Sequence, residues 1–92
     1  MFTKKAYAVN QRIYSLLKAN KNIPGYARDQ LGRASLSIVL NIAEGSAKFS
    51  NKDRRSFYVT ARGSAFECAS LIAFLQDENE IPNDIFEEIS KE

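Results

Sequence analysis

Apolar residues recur at intervals of three and four in three separate segments of this 92-residue chain. That spacing places them along one side of an α-helix, since the helix repeats about every 3.6 residues. The segments cover residues 4–20, about 27–44, and about 51–75. No segment alternates apolar and polar residues between turn signals, as a half-buried strand does. The sequence therefore predicts an all-α fold.

Short polar connections separate the three predicted helices. Asn22, Pro24 and Gly25 interrupt the first pattern, as a turn between helices does. Gly45 follows the second helix and is predicted to be a left-handed C-terminal cap. Ser50 precedes Asp53 by three residues and resembles a capping box at the start of the third helix. Because the connections are short, we expect antiparallel neighbours in one bundle.

The segment after the third helix is too short to match it. Polar residues 76–80 end the third helix, and Pro82 suits the first position of another. Residues 84–91 would form a helix of about 15 Å, whereas the third helix spans roughly 40 Å. We therefore predict one domain over residues 1–92, an antiparallel up-down four-helix bundle with a shortened fourth helix.

Composition excludes several classes of catalytic site. The chain has no histidine and one cysteine, which removes a serine–histidine triad, imidazole ligands and thiolate zinc sites. Cys68 lies on the apolar side of the third helix, where a thiol packs as a small apolar group. No run approaches the roughly 20 apolar residues that cross a bilayer. We expect a cytoplasmic, non-enzymatic protein with no cofactor, metal, membrane contact or small-molecule substrate.

Charge is distributed unevenly along the chain. Residues 1–62 sum to +9, from twelve basic and three acidic residues, and residues 63–92 sum to −7, from one basic and eight acidic residues. Such asymmetry indicates an anionic partner for the basic part, or pairing between helices or subunits of opposite sign. Four candidate cations for nucleic-acid contact surround the connection between the second and third helices, with Phe49 among them, and two more lie on the first helix. The alternative is ordinary solubilising charge, because no aromatic platform or recognition helix accompanies these cations. The nucleic-acid candidates are Lys48, Lys52, Arg54, Arg55, Arg12 and Lys18.

The second and third helices also carry apolar residues away from their core sides. A chain of this length offers no further long helix to cover them, so we expect self-association through these faces. Isolated exposed apolar residues are the alternative. The interface candidates are Leu36, Val39, Leu40, Val59, Phe66 and Ala73.

A set of polar and small residues recurs at helical spacing on the same two helices. Two carboxylates in it could be an acid–base pair, but arginines on the facing helix favour ion pairs that fix the helix register. Small members of the set allow close helix approach. The predicted structural polar layer consists of Gln30, Arg33, Ser37, Asn41, Glu44, Gly45, Arg62, Gly63, Ser64 and Glu67.

These residues resemble a known family. The run NIAEG at 41–45, followed by ARGS at 61–64, is similar to the bacterial four-helix bundle family, also called the 23S ribosomal RNA intervening-sequence protein family, over about residues 5–90. The resemblance implies a bundle that closes into a ring, commonly a pentamer, with no established enzymatic activity. A related accessory protein of diversity-generating retroelements binds nucleic acid, so the resemblance also implies that association. The sequence departs from the family pattern at Gly32, where members often carry arginine, and in its shorter fourth helix.

Two interpretations of function follow. In the first, the chain is a non-enzymatic, self-associating bundle that binds RNA or DNA through its basic part. In the second, it is a protein-binding scaffold with no nucleic-acid role, whose acidic last third docks a basic partner or a neighbouring subunit.

Overall fold

Three helices make up the part of the chain that the structure describes. The computed structural model describes residues 2–82, with α1 at Phe2–Ala19, α2 at Gly25–Ser46 and α3 at Asn51–Asp77. Within this range there is no strand, which confirms the all-α prediction. The described residues form three helices and not the four of the predicted bundle; the predicted fourth helix at 84–91 lies outside them.

The starts of α2 and α3 follow from local signals in the sequence. α2 begins directly after Pro24, whose carbonyl oxygen accepts a hydrogen bond from the Arg28 N–H at 2.9 Å. Ser50 caps α3 as predicted, because its Oγ accepts a hydrogen bond from the Asp53 N–H at 3.1 Å. Such a side-chain cap satisfies one of the helix's unpaired N–H groups and contributes about 1 kcal/mol.

The turn after α3 brings the chain back to the core. Asn79 has a φ of 59°, and the N–H of Glu80 donates to the Leu75 carbonyl at 2.8 Å. This is a Schellman turn, with asparagine in the left-handed position that glycine more often occupies. Its result is that Ile81 is only 4% exposed and joins the core.

α2 lies between the other two helices and packs against both. Asn20 and Asn10 of the first hairpin bond to Arg28 and Ser35, so α1 runs antiparallel to α2. In the same way Ser37 bonds to Ser64 and Ser46 to Tyr58, so α3 also runs antiparallel to α2. All three helices contribute to one core cluster. Its buried members are Ala6, Ile13, Leu16, Ile23, Ala27, Leu31, Ala34, Ile38, Cys68, Ile72, Leu75 and Ile81.

Polar contacts fix α1 against α2. The guanidinium of Arg28, in the first turn of α2, donates to the carbonyl of Leu17 and, at 2.9 Å, to that of Asn20. The last carbonyls of a helix lack N–H partners in a following turn, so Arg28 caps the end of α1. The Ile23 N–H also donates to the Asn20 carbonyl, at 3.4 Å. Midway along the pair, the buried Ser35 hydroxyl donates to Asn10 Oδ1 at 2.7 Å.

The predicted left-handed cap at Gly45 is wrong. α2 continues through Ser46, and no glycine in the described range has a positive φ. Gly45 is buried against α3, where a Cβ would lie 2.6 Å from Cε1 and 2.9 Å from Cδ1 of Tyr58. Glycine is therefore needed here because the Tyr58 ring packs directly on the α2 backbone.

We expect the same substitution at two glycines of α2 to change stability in opposite directions. Gly45→Ala should lower the free energy of unfolding by about 1–3 kcal/mol, because the new methyl group overpacks the contact with Tyr58. Gly32→Ala should raise it by about 0.5–1 kcal/mol, since alanine favours the helix. A Cβ at Gly32 would meet only Leu17 Cδ1, at an ordinary 3.9 Å. Urea unfolding followed by circular dichroism measures both; shifts of the same sign would contradict the packing at Gly45.

Candidate functional site

A basic groove runs along the first three turns of α3. It has a volume of about 540 Å³ and is lined by Asn51, Arg54, Arg55, Tyr58, Val59 and Arg62. Arg55 and Arg62 lie two helical turns apart, about 10 Å along the helix axis. The three arginines are exposed, and within residues 2–82 none forms an ion pair with a carboxylate. Guanidinium groups bind phosphate through paired hydrogen bonds, so the groove presents sites for an extended anion.

The connection between α2 and α3 borders this groove and is held from both sides. The Arg54 Nε donates to the carbonyl of Lys48 at 2.7 Å. The Lys48 ammonium lies 3.7 Å from Glu44 Oε2 and 5.4 Å from the centre of the Phe57 ring. Between Lys48 and the Ser50 cap, the side chain of Phe49 is 99% exposed. The connection therefore holds a phenylalanine ring in solvent beside the arginines.

The structure separates the six predicted nucleic-acid cations. Lys48, Lys52, Arg54 and Arg55 lie together at the α2–α3 connection, as the sequence places them. Lys18 lies at the end of α1, near the start of α2 and so at the opposite end of the bundle, with its ammonium 5.3 Å from the centre of the Tyr14 ring.

Arg12 lies in the middle of α1 and has an exposed side chain. Because α1 is antiparallel to α2, its first turn lies at the same end as the α2–α3 connection. Lys4 and Lys5, both exposed, therefore add positive charge to the end of the bundle that carries the basic groove.

Three members of the predicted polar layer are joined across the α2–α3 contact. The Ser64 hydroxyl donates to Ser37 Oγ at 2.9 Å. Asn41 Nδ2 donates to the carbonyl and to the hydroxyl of Ser37, at 2.8 and 3.0 Å. Since Ser64 is only 7% exposed, these bonds satisfy polar groups at a largely dry helix contact and fix its register.

The charged members of the predicted layer lie elsewhere. Arg33, Glu44, Arg62 and Glu67 are all exposed, and no arginine–carboxylate ion pair joins them within residues 2–82. Glu44 instead pairs with Lys48, one turn along α2, and Arg62 lines the basic groove.

The remaining members of the layer also face the surface between α2 and α3. Gln30 and Gly63 line a shallow groove together with Glu67 and Phe66. A Cβ at Gly63 would meet no atom within 4 Å, so no contact among residues 2–82 requires glycine there.

Most of the predicted interface residues are exposed. Val39 is the exception, because it is half-buried and packs against the core. Ala73 is exposed near the end of α3. The four large exposed members are Leu36 at 49%, Leu40 at 55%, Val59 at 51% and Phe66 at 66%.

A second groove of apolar character lies between α2 and α3. It has a volume of about 300 Å³ and is lined by Ile38, Ile42, Tyr58, Ala61, Arg62 and Ala65. It shares Tyr58 and Arg62 with the basic groove. The Tyr58 ring, whose hydroxyl is 3.3 Å from Ser46 Oγ, is therefore a common wall of the two.

Cys68 lies in the core, as its place on the apolar side of α3 predicts. It is 4% exposed, and burial together with the nearby Glu67 carboxylate raises the pKa of its thiol from 9.0 to about 11. The neutral thiol therefore persists at neutral pH, and thiols react chiefly as thiolates.

The sequence-based nucleic-acid prediction missed four residues that line the basic groove, Asn51, Tyr58, Val59 and Arg62. The helical spacing of Arg62 relative to Arg55 could have indicated a shared face, but Arg62 was also a candidate for ion pairing. The position of Tyr58 depends on its contact with Gly45, for which the sequence has no local signal.

The fold and its grooves define a class: a small all-α bundle, packed about a central helix, with one basic end. A family model described as 23S rRNA-intervening sequence protein matches residues 1–92. The chain belongs to this family, which confirms the resemblance seen at NIAEG and ARGS. No curated protein matches the chain. None of α1, α2 and α3 combines the length and the hydropathy needed to cross a membrane.

We expect Cys68 to be protected by the fold. At pH 8 its reaction with an aromatic disulfide reagent should be at least roughly 100-fold slower in the native protein than in urea, because the raised pKa removes thiolate and burial blocks access. The raised pKa also means that the thiol's contribution to stability is present below pH 9.0 and is lost as the pH rises through about 11. Equal reaction rates in the native and unfolded protein would contradict this placement.

Proposed function

We propose that this chain is a non-catalytic, self-associating helical bundle that binds nucleic acid through its basic groove. The observation that carries the proposal is the set of three exposed arginines, Arg54, Arg55 and Arg62, along one 540 Å³ groove without carboxylate partners within residues 2–82. Exposed cations without carboxylate partners can exchange water for phosphate oxygens of a nucleic acid. The counterions that the nucleic acid releases in this exchange are the main source of affinity.

The surroundings of the groove strengthen the same field. Lys52 is exposed in the first turn of α3, and Lys4 and Lys5 lie at the same end of the bundle. Only Asp53 opposes them in the first turn of α3. In an oligomer each of these charges is repeated, so weak contacts with one phosphate backbone would add through avidity.

The states of the candidate nucleophiles support a non-catalytic role. The Ser64 hydroxyl donates to Ser37, a serine that cannot act as a base. The Cys68 thiol is buried and has a raised pKa, whereas a nucleophilic cysteine needs a lowered one.

Exposed apolar residues support self-association. Leu36 and Leu40 on α2 and Phe66 on α3 are each about half exposed or more, whereas Val59 lines the basic groove. Gly63 lies in the interior of α3 although a Cβ there would contact no atom of the described residues, and such a glycine costs about 0.5–1 kcal/mol relative to alanine. A helix of a second chain approaching α3 closely at Gly63 would explain its presence.

The exposed charges beside this face fit the same arrangement. Arg33 and Glu67 lack ion-pair partners within residues 2–82, so they are free to pair between chains. The four-helix bundle and the closed ring that the family implies belong to this proposal. The apolar groove lined by Ile38, Ile42 and Ala65 offers a surface on which a fourth helix would pack.

Binding to nucleic acid should depend on the basic groove. We expect labelled RNA or DNA to bind the chain in a fluorescence-anisotropy titration at low salt. Arg55→Ala with Arg62→Ala should weaken binding by roughly tenfold or more, and should reduce the slope of log affinity against log salt by about 1.5, as two lost phosphate contacts require.

A matched variant separates this groove from overall charge. Lys18→Ala with Lys21→Ala also removes two positive charges, but at the opposite end of the bundle. We expect this variant to bind nucleic acid nearly as the unaltered chain does. An equal loss in both variants would reject the groove as the site. Absence of binding by the unaltered chain at low salt would reject the nucleic-acid role and leave the protein-binding scaffold.

Self-association should depend on the exposed apolar residues of α2 and α3. In sedimentation velocity the unaltered chain should be larger than a monomer, and Phe66→Ser should shift it toward the monomer, because Phe66 lies on the proposed interface. Tyr14→Ser is the control, since Tyr14 is an aromatic of similar exposure on α1, 62% against 66% for Phe66. A monomeric unaltered chain, or equal effects of the two variants, would contradict the interface.

A further inference from the structure

The exposure of Phe49 has no explanation within the described fold. Its side chain is 99% exposed, the highest value among the large apolar residues of residues 4–82. A phenylalanine buries about 150–250 Å² when it packs, and Phe49 contributes none of this to the core. An exposed aromatic ring beside a positively charged groove offers a face on which another flat group can stack.

The chain around Phe49 is fixed on both sides. Before it, the Ala47 N–H donates to the Ala43 and Glu44 carbonyls, both at 3.2 Å, and continues the hydrogen bonding of α2. After it, Ser50 caps α3 through its bond with Asp53. The Phe49 ring is therefore presented by an anchored connection of four residues, 47–50, and its backbone needs little ordering on binding.

The charges beside Phe49 select one kind of ligand. Arg54 bonds to the carbonyl that immediately precedes Phe49. Asn51, two residues after Phe49, lines the basic groove that continues past Arg55 to Arg62. A ligand that reaches both features must carry a flat apolar group and, next to it, a run of negative charge. A single strand of nucleic acid has this chemistry, because its bases are free to stack while its phosphates bind cations.

We infer that this end of the bundle binds single-stranded nucleic acid, with an unpaired base stacked on Phe49 and the neighbouring phosphates in the groove of Arg54, Arg55 and Arg62. The inference rests on the proposed function and adds the form of the partner. In a duplex the bases are stacked on one another and their faces are closed to Phe49. The site therefore prefers single strands, and the stacking contact accounts for the preference.

The test compares one strand in its single and paired forms. The unaltered chain is titrated into a labelled 20-nucleotide single strand, and separately into the same strand annealed to its complement, at one salt concentration. Phe49→Ala should weaken single-strand binding by roughly tenfold and leave duplex binding unchanged, since stacking on an aromatic ring is lost only for the unpaired base. Tyr26→Ala is the control, because Tyr26 is an exposed aromatic residue, at 69%, in the first turn of α2 and so at the opposite end of the bundle.

A second readout reports on the ring itself. The chain contains no tryptophan, so Phe49→Trp introduces a single tryptophan, whose emission can be excited separately from that of the four tyrosines. Its emission should be quenched by the single strand and not by the duplex, and the emission of a Tyr26→Trp control at the opposite end of the bundle should not change.

The outcomes distinguish this inference from the proposed function. Equal affinity for both forms, with no effect of Phe49→Ala, would overturn the inference and leave nucleic-acid binding intact. Failure of the unaltered chain to bind either form would overturn both. A tryptophan at position 49 whose emission shifts to the blue with protein concentration alone would overturn the inference and assign Phe49 to a contact between chains.

Discussion

Packing on both flanks of α2 is the constraint on which the rest of the structure depends. Ala27 and Leu31 are fully buried, because α1 covers one flank of the helix and α3 the other. Each contact also contains a buried hydroxyl with a defined partner, Ser35 with Asn10 and Ser64 with Ser37. A shift of either neighbour by one turn would leave these groups unpaired at a cost of about 1–3 kcal/mol each, so apolar burial drives the packing and the hydroxyls fix its register.

The packing of α3 on α2 also positions the basic groove. The Tyr58 ring lies on the backbone at Gly45, which sets the rotation of the first turns of α3 and directs Arg55 and Arg62 to the surface. The groove and the core thus share one determinant, since the same ring closes the helix contact on one side and walls the groove on the other. Exposed guanidinium groups on a rigid helix lose less freedom on binding than cations on a flexible tail would.

The sequence predicted what depends on local periodicity and missed what depends on contacts between helices. The three helices, the Ser50 cap and the core position of Cys68 follow from spacing and capping chemistry within a few residues. The role of Gly45 does not, because a glycine after an apolar helix suits both a left-handed cap and a close contact, and only Tyr58 decides between them. Likewise, exposure cannot be read from a sequence for one phenylalanine in a basic connection, and the structure alone separates Phe49 at 99% from the half-buried Phe57. The family was recognisable because its motif residues are specific by type and spacing.

The cap that Arg28 forms on α1 has a consequence for the order in which the fold can assemble. Its bonds reach carbonyls only 8 and 11 residues earlier in the chain, so the corner between the first two helices needs no residue of α3. Local contacts of this kind close quickly, because little chain entropy is lost in forming them. During synthesis, the corner of the α1–α2 hairpin can therefore close while α3 is still being made, and α3 then adds to a surface on α2 that is already half covered.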